Sequence, residues 1–209
     1  VKSVYDIYIR QDGKPAATGQ VSDVLGVLPG TVTSMMKTLS ESGLAEYQPY
    51  EGVQLTTSGQ ALALRVIRRH RLIELFLVKT LDLTWDEVHE EAENMEHAVS
   101  DMLVDRIDEF LGRPDHDPHG DPIPKADGTV STNDGELLAS IKQGVTVRLI
   151  RVLDQHPDFL RFLSENGFGI GAEAVVFEGK VADGLRLKLN DNMVTISHAE
   201  AERLVVEVV

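Results

Sequence analysis

His89, Glu93, Glu96 and His97, in the run HEEAENMEHAVSD, follow the spacing i, i+4, i+7, i+8. On a 3.6-residue helix that spacing puts four metal-capable side chains on one stripe. His70 and Glu74, in HRLIE, repeat the i, i+4 spacing earlier in the chain. Imidazole and carboxylate donors without any thiolate suit a borderline-to-hard divalent cation. Carboxylates crowded this closely repel one another unless a positive charge sits among them. The competing reading is a solvated acidic helix face that carries its histidines incidentally. His116 and His119, further candidate ligands, lie in DHDPHGDPIPKADG, a Pro- and Gly-rich stretch that must be irregular, although histidines in such an acidic loop are more often merely exposed. No Gly-rich phosphate loop, Ser/His/Asp arrangement or paired-carboxylate catalytic site stands out, so no catalytic residue is assigned.

The elements that must position these residues are legible in the apolar periodicity. VKSVYDIYI reads as a helix already under way at Val1, so a preceding segment is expected. After a polar turn, TGQVSDVLGV reads as a short helix capped by Thr18, with Val21, Val24 and Leu25 as its apolar stripe. Leu28-Pro29-Gly30 breaks it. A second helix is expected from Thr31 to Gly43, burying Val32, Met35, Met36 and Leu39. Two short helices about a tight turn, followed by the alternating, aromatic LAEYQPYEGVQLT, suit a helix-turn-helix with a β-wing. A small helical domain without nucleic acid would share much of this pattern.

Thr57-Ser58-Gly59 opens a long amphipathic helix whose apolar positions run beyond one stripe. Thr84 reads as the cap of the next helix, which carries the four-donor stripe and continues to Phe110. The apolar surface on Leu72–Leu77 and Val99–Phe110 exceeds what one helical pair covers, so a symmetric dimer is expected. Trp85 reads as a core or interface residue. Past a polar linker, strands are expected at Val145–Val152, Glu173–Glu178, Gly184–Leu189, Met193–Ser197 and Leu204–Val209, with a short helix in HPDFLRFLSENG. Five short strands in so few residues read as a small β-barrel.

Composition narrows the class. The 209 residues include no cysteine, which removes disulfides, thiolate zinc sites and cysteine nucleophiles. No apolar run is long enough to span a membrane and no secretory signal is visible, so a cytoplasmic location is expected. The net charge of −14 is unevenly placed. Residues 1–70 are near neutral, with Lys2, Arg10, Lys14, Lys37, Arg65, Arg68 and Arg69 set against six acidic residues. The acidic excess begins after them, together with most of the histidines. A near-neutral first third and an acidic, histidine-rich middle suggest two jobs in two places.

The order SVYDI, helix-turn-helix, wing ending in LTTSGQALA, RRHRLIELFL, VHEEAENMEHAVSD and DPHGDPIP resembles the diphtheria-toxin-repressor family of metal-dependent transcriptional regulators. That family has iron-dependent and manganese-dependent (DtxR and MntR) branches, and the resemblance covers essentially the whole chain. It implies a mainly α N-terminal two-thirds and a C-terminal SH3-like, FeoA-type β-barrel. The expected divisions are a winged helix-turn-helix at 1–64, a helical metal-binding and dimerisation domain at 65–127, a linker at 128–140 and the FeoA-type domain at 141–209.

Residue by residue, the resemblance implies that Glu93, Glu96 and His97 belong to a primary, activating metal site, with a further ligand preceding VKSVYDI. His70, Glu74 and His89 would form an ancillary site, giving two sites per subunit. Gln155 and Asp158 match the positions from which a third-domain helix adds ligands, although the identities there depart from the iron branch. That branch has cysteine at the position of Glu93; a hard carboxylate in its place favours Mn(II), with Fe(II) the competitor. Phosphate contacts are expected from Lys37 and the hydroxyls of Thr31 and Thr33, and base contacts from the start of the second helix, where Pro29, Gly30 and Ser34 lie. Such small side chains point to readout through DNA shape.

The expected function is a Mn(II)-activated homodimeric repressor of metal-uptake genes, bound to palindromic double-stranded operator DNA. An Fe(II)-dependent regulator of the same family is the nearest alternative. A dinuclear metal hydrolase or a metal buffer would use similar donors, but neither has a use for the winged helix-turn-helix.

Overall fold

The structure, a computed structural model, describes residues 1–131, 135–181, 184–190 and 192–209. Residues 132–134 of the expected linker therefore lie outside the described residues. The chain forms two compact units, Val1–Arg69 with Pro124–Thr129, and His70–Ile123 with Val130–Val209.

The first unit contains α1 (Lys2–Arg10), α2 (Thr18–Leu25), α3 (Pro29–Glu41), the antiparallel hairpin β1 (Ala45–Gln48) and β2 (Gly52–Leu55), and the opening turns of α4 (Thr57–Leu81). Val4, Val21, Val32, Met36, Val53 and Ala63 meet in its core. Ala16 exchanges both backbone hydrogen bonds with Val53, at 2.9 Å each, which ties the segment before α2 to the wing.

Several local expectations change here. The α2 N-cap is Ala17, not Thr18; its backbone N–H donates to the Gln20 side chain, so the cap bond runs back from inside the helix. Helix α3 begins at Pro29, two residues before Thr31, because a proline at the first helical position loses no hydrogen bond. Val24, Leu25 and Met35 are exposed rather than buried, since the core takes only the stripe through Val21, Val32 and Met36.

The second unit combines the rest of α4 with α5 (Val88–Glu96), α6 (Asp101–Phe110) and a β-domain. Leu72 and Leu75 of α4 pack against Val104 and Ile107 of α6 and against Ile123. Ile73 and Leu77, on another face of α4, pack against Val88 and Ala92 of α5. Each of the buried Leu, Ile and Val side chains contributes about 1.5–3 kcal/mol relative to exposure. The single helix expected from Thr84 to Phe110 is two helices. Glu87 accepts hydrogen bonds from the Thr84 N–H and hydroxyl, holding residues 84–87 as a turn, so α5 starts at Val88. It stops at His97, and Ser100 caps α6 by accepting from the Leu103 N–H.

The β-domain is a six-stranded antiparallel sheet. Its strands are β3 (Glu136–Leu137), β4 (Thr146–Val152), β5 (Glu173–Val181), β6 (Gly184–Leu189), β7 (Asn192–Ser197) and β8 (Leu204–Val208), in the order β3-β8-β4-β5-β6-β7. β3 and β7 stay at its edges, so the sheet is open and SH3-like rather than a closed barrel. Helix α7 (Pro157–Glu165) buries Phe159, Leu160 and Leu163 against it, and a short α8 (His198–Ala201) precedes β8.

A bulge in β4 between Leu149 and Arg151 opens its ladder, and the segment 117–121 comes against that strand. The Val152 N–H donates to the His119 carbonyl at 2.9 Å. At Gly120, φ is +83° and a Cβ would lie 2.0 Å from the Ile150 carbonyl oxygen. Both constraints act on one residue, so Gly120→Ala should destabilise the protein by more than about 1 kcal/mol in chemical denaturation. An unchanged midpoint would mean that this loop does not pack on β4 in solution.

Candidate metal centre

Both metal-capable helix faces turn inward on each other. His70 and Glu74, one turn apart on α4, are buried, and so is Glu96 on α5. His70 lies between carboxylates: Nδ1 is 2.9 Å from Glu96 Oε2, and Nε2 is 2.9 Å from Glu74 Oε1. Both ring nitrogens of His70 are thus hydrogen-bonded to carboxylates on opposite sides of the imidazole. His89 Nδ1 is 3.3 Å from the same Glu74 oxygen and 3.2 Å from His70 Nε2. Burial alone would push the Glu74 carboxyl up, but hydrogen bonds with His70 and His89, and the charges of His70 and His119, hold it well below the ordinary carboxylate range.

The loop after α6 adds donors that the sequence reading set aside. His119 is 0% exposed, contrary to the expectation for an acidic-loop histidine, because α4, Trp85 and β4 close over it. Only His116 of the loop pair is exposed. His119 Nε2 lies 2.8 Å from the Trp85 carbonyl oxygen, which can only accept, so Nε2 carries a hydrogen and Nδ1 is the nitrogen left to face the carboxylates. That Nδ1 is buried with no hydrogen-bond partner among the described residues. It is 4.0 Å from Glu74 Oε2 and 4.0 Å from Asp117 Oδ1. Asp117 Oδ2 is likewise buried without a hydrogen bond among the described residues. Burial, followed by the charges of Asp121 and Glu74, pushes the Asp117 carboxyl well up, while Arg71 opposes the shift.

Three donor groups come together: His70, Glu74 and His89; His70, Glu93 and Glu96; Glu74, Asp117 and His119. Within each, the donor atoms lie within 4.8 Å of one another. Two opposed metal–ligand bonds of about 2.2 Å span roughly 4.4 Å, so small side-chain movements suffice to close on an ion. The Asp117 and His119 atoms without a hydrogen-bond partner among the described residues and the all-oxygen-and-imidazole donor set both fit a divalent cation. The first group shares a residue with each of the others, whereas the second and third share none.

The remaining sequence candidates lie elsewhere. His97, at the end of α5, has a side chain 80% exposed, with Nε2 3.7 Å from Glu96 Oε1. Asp158 belongs to none of the three donor groups. The Gln155 amide donates to Asp121 Oδ2 at 2.9 Å, and Asp158 accepts from Arg161 at 2.6 Å. Asp117 is the residue that sequence reasoning missed, whereas His119 was a candidate ligand expected to be exposed. The alternation of polar donors in Asp117-Pro118-His119-Gly120-Asp121 was the available signal.

In the first unit, Pro29, Gly30, Thr31, Ser34 and Lys37 form an exposed face of α3, with Thr33 partly covered. The Thr33 and Ser34 hydroxyls donate back to the Pro29 and Gly30 carbonyls, at 3.0 and 3.2 Å. The face therefore offers methyl groups, backbone and one lysine rather than planar base-reading amides or guanidinium groups.

Residues 1–53 match the family profile for the N-terminal DNA-binding domain of iron-dependent repressors, and residues 56–125 match the metal-binding and dimerisation domain of the same repressors. Residues 137–208 match the FeoA domain. The solved structure of a manganese-dependent transcriptional repressor complex with manganese is 34% identical, each chain covering 100% of the other, with a TM-score of 0.87. The chain belongs to the DtxR/MntR family of metal-dependent transcriptional repressors.

Other members point to different metals. The iron-dependent repressor IdeR of Mycobacterium leprae (strain TN) is 28% identical over 219 residues, an alignment spanning 99% of this chain and 94% of that protein. The regulator MntR of Lysinibacillus sphaericus (strain C3-41) is 32% identical over 96 residues, 46% of this chain and 68% of that protein. Members of the DtxR/MntR family are DNA-binding repressors rather than enzymes, so the hydrolase alternative falls away. Among the described residues, no helix is long and apolar enough to cross a membrane.

Proposed function

We propose that the chain is a Mn(II)-activated, homodimeric, cytoplasmic repressor that binds palindromic operator DNA and controls metal-uptake genes. The observation that carries the metal choice is Glu93, a carboxylate grouped with His70 and Glu96 where the iron branch of the family has a thiolate. Its relative with bound manganese, at 34% identity, supports the same choice. Manganese stands low in the general affinity order, so an oxygen-rich donor set must supply the selectivity.

Two ions fit without sharing a ligand if His70, Glu93 and Glu96, with His97 at the rim, hold one and Glu74, Asp117 and His119 hold the other. This partition assigns His70 to the primary site and leaves His89 beside Glu74 at the ancillary one. When bound, each ion supplies positive charge that offsets the crowded carboxylates. Glu74 orients His70 by accepting from Nε2, which leaves Nδ1 for the ion; the Trp85 carbonyl fixes the His119 tautomer in the same way. Asp117, whose carboxyl is pushed up by burial, gives up its proton on loading, so loading is expected to favour higher pH. Metal raises DNA affinity only as far as it binds the DNA-competent conformation better. In that conformation the exposed face of α3 would enter the major groove of each half-site, with Lys37 and backbone amides on phosphate.

His70, His89 and Glu74 also make a two-histidine, one-carboxylate set, the pattern of non-haem Fe(II) sites, and this favours Fe(II) as the second reading. Fluorescence anisotropy with a palindromic promoter fragment separates the two. Mn(II) should increase affinity at lower free-metal concentration than anaerobic Fe(II), and Glu93→Cys should reverse that order toward Fe(II) and Co(II) without unfolding the protein. Equal responses in the parent and the variant would remove Glu93 from the metal's ligands and the Mn(II) preference with it.

A further inference from the structure

Asp121 is the point where the β-domain grips the ligand loop. Its Oδ1 accepts from Arg151 Nε of β4, and its Oδ2 accepts from Gln155 Nε2 at 2.9 Å. From the other side, Arg71 Nη2 of α4 lies 3.3 Å from Oδ2. The same guanidinium donates to the Pro122 carbonyl at 2.6 Å and places Nε 3.6 Å from Asp117 Oδ2. Within the loop, Asp117 Oδ1 accepts the backbone N–H groups of His119 and Asp121, at 2.8 and 2.9 Å. The Asp117 N–H donates to the Asp121 carbonyl at 2.9 Å. Asp121 is therefore bonded on one side to β-domain side chains and on the other to the backbone that aims Asp117 and His119.

We propose that in this chain the β-domain controls the Glu74–Asp117–His119 centre from outside its coordination sphere, with Gln155 and Arg151 as positioning residues acting through Asp121. The proposal rests on that centre being a metal site, as assigned above. It departs from what the family resemblance implied for Gln155, which was direct ligation. The Gln155 amide nitrogen is committed to Asp121, a carboxylate that itself stands outside all three donor groups. Two guanidinium groups and an amide saturate the Asp121 carboxylate. They hold it in place beside Asp117 and keep the loop in the closed form that sets His119 Nδ1 4.0 Å from Glu74 Oε2 and 4.0 Å from Asp117 Oδ1. Outer residues that orient ligands in this way typically change metal affinity by about 10–100-fold. Linkage makes the effect reciprocal: metal at the centre should tighten the docking of β4 on the loop.

Gln155→Glu separates positioning from ligation, because the two roles predict opposite signs. A carboxylate at 155 is a better ligand for a hard cation than an amide, but it opposes Asp121 rather than donating to it. The test is a Co(II) titration of the full chain without DNA, in a Glu96→Ala background that removes the other centre. Absorption in the ligand-field bands and the fluorescence of Trp85, stacked on His119 with ring centroids 6.1 Å apart, are both recorded. Positioning predicts that Gln155→Ala and Gln155→Glu each weaken Co(II) binding about 10-fold or more, with band positions unchanged at saturation. A merely structural role would lower apo stability and leave the affinity alone, so thermal unfolding of each apo variant accompanies the titration. Unchanged or tighter binding by Gln155→Glu, or shifted bands in Gln155→Ala, would overturn the proposal. Failure of the Glu96→Ala parent itself to bind Co(II) with a change in Trp85 emission would instead overturn the centre.

Discussion

Glu96→Ala should eliminate the metal-dependent gain in DNA affinity, by about 100-fold or more, while leaving the weak metal-free binding unchanged. Glu96 is 4% exposed on the inner face of α5, and its Oε2 holds His70 Nδ1 at 2.9 Å. Its removal deletes one proposed ligand and the carboxylate that holds Nδ1 of a second. The loss therefore exceeds the about 10–100-fold typical of an outer residue. His70→Ala should be as severe, because it also strips Glu74 of the hydrogen bond that helps keep that carboxylate ionised. His97→Ala should cost less, since its exposed side chain meets the cluster only at the rim. Anisotropy titrations of a promoter fragment with and without Mn(II) provide the comparison. A full metal response in Glu96→Ala would show that the α4–α5 cluster is a structural ion-pair network.

The second large effect should be a trade between stability and metal response at Asp117. Its carboxyl is pushed up by burial and by Asp121 and Glu74, so its folded value lies above its unfolded one. Between those two values the native state binds more protons than the unfolded state, and stability must fall as pH rises. Asp117→Asn removes that penalty while its amide oxygen can still accept the His119 and Asp121 N–H groups. The metal-free variant should therefore be more stable than the parent at neutral pH and should lose the part of the pH dependence that Asp117 contributes. It should also lose the stabilisation from loading this centre, which amounts to about 2.7 kcal/mol when the free ion is at 100 times its Kd. Differential scanning calorimetry across pH, with and without Mn(II), would register both changes. A metal-free variant less stable than the parent would mean that Asp117 carries its charge comfortably and that the loop is not strained by it.

What was legible in the chain, and what was not, divides along the range of the interactions. The donors on α4 and α5 announced themselves because helical spacing is a local property: His70 and Glu74, or His89 and Glu93, fall on one face wherever the helix packs. The helix-turn-helix and wing were legible for the same reason. The four-donor stripe did not reveal that His97 ends its helix, because the break at 97–100 depends on Ser100 capping α6. Asp117 and His119 were obscured more deeply. An irregular loop has no period from which burial can be read, and these residues are covered only because β4, far away in sequence, bonds to the His119 carbonyl. The open sheet was hidden likewise, since strand patterns identify strands but not the order that leaves β3 and β7 at the edges.

The hydrogen bond between His70 Nε2 and Glu74 has a consequence for the shape of the response to metal. In the proposed partition it joins a ligand of one centre to a ligand of the other. Filling either centre fixes one end of this bond, so the second ion meets a site already partly ordered. Occupancy should then climb over a narrower span of free-ion concentration than two independent sites would allow. A metal-dependent repressor gains a sharper threshold from such steepness: it stays idle through ordinary fluctuations of the ion and commits within a small further rise.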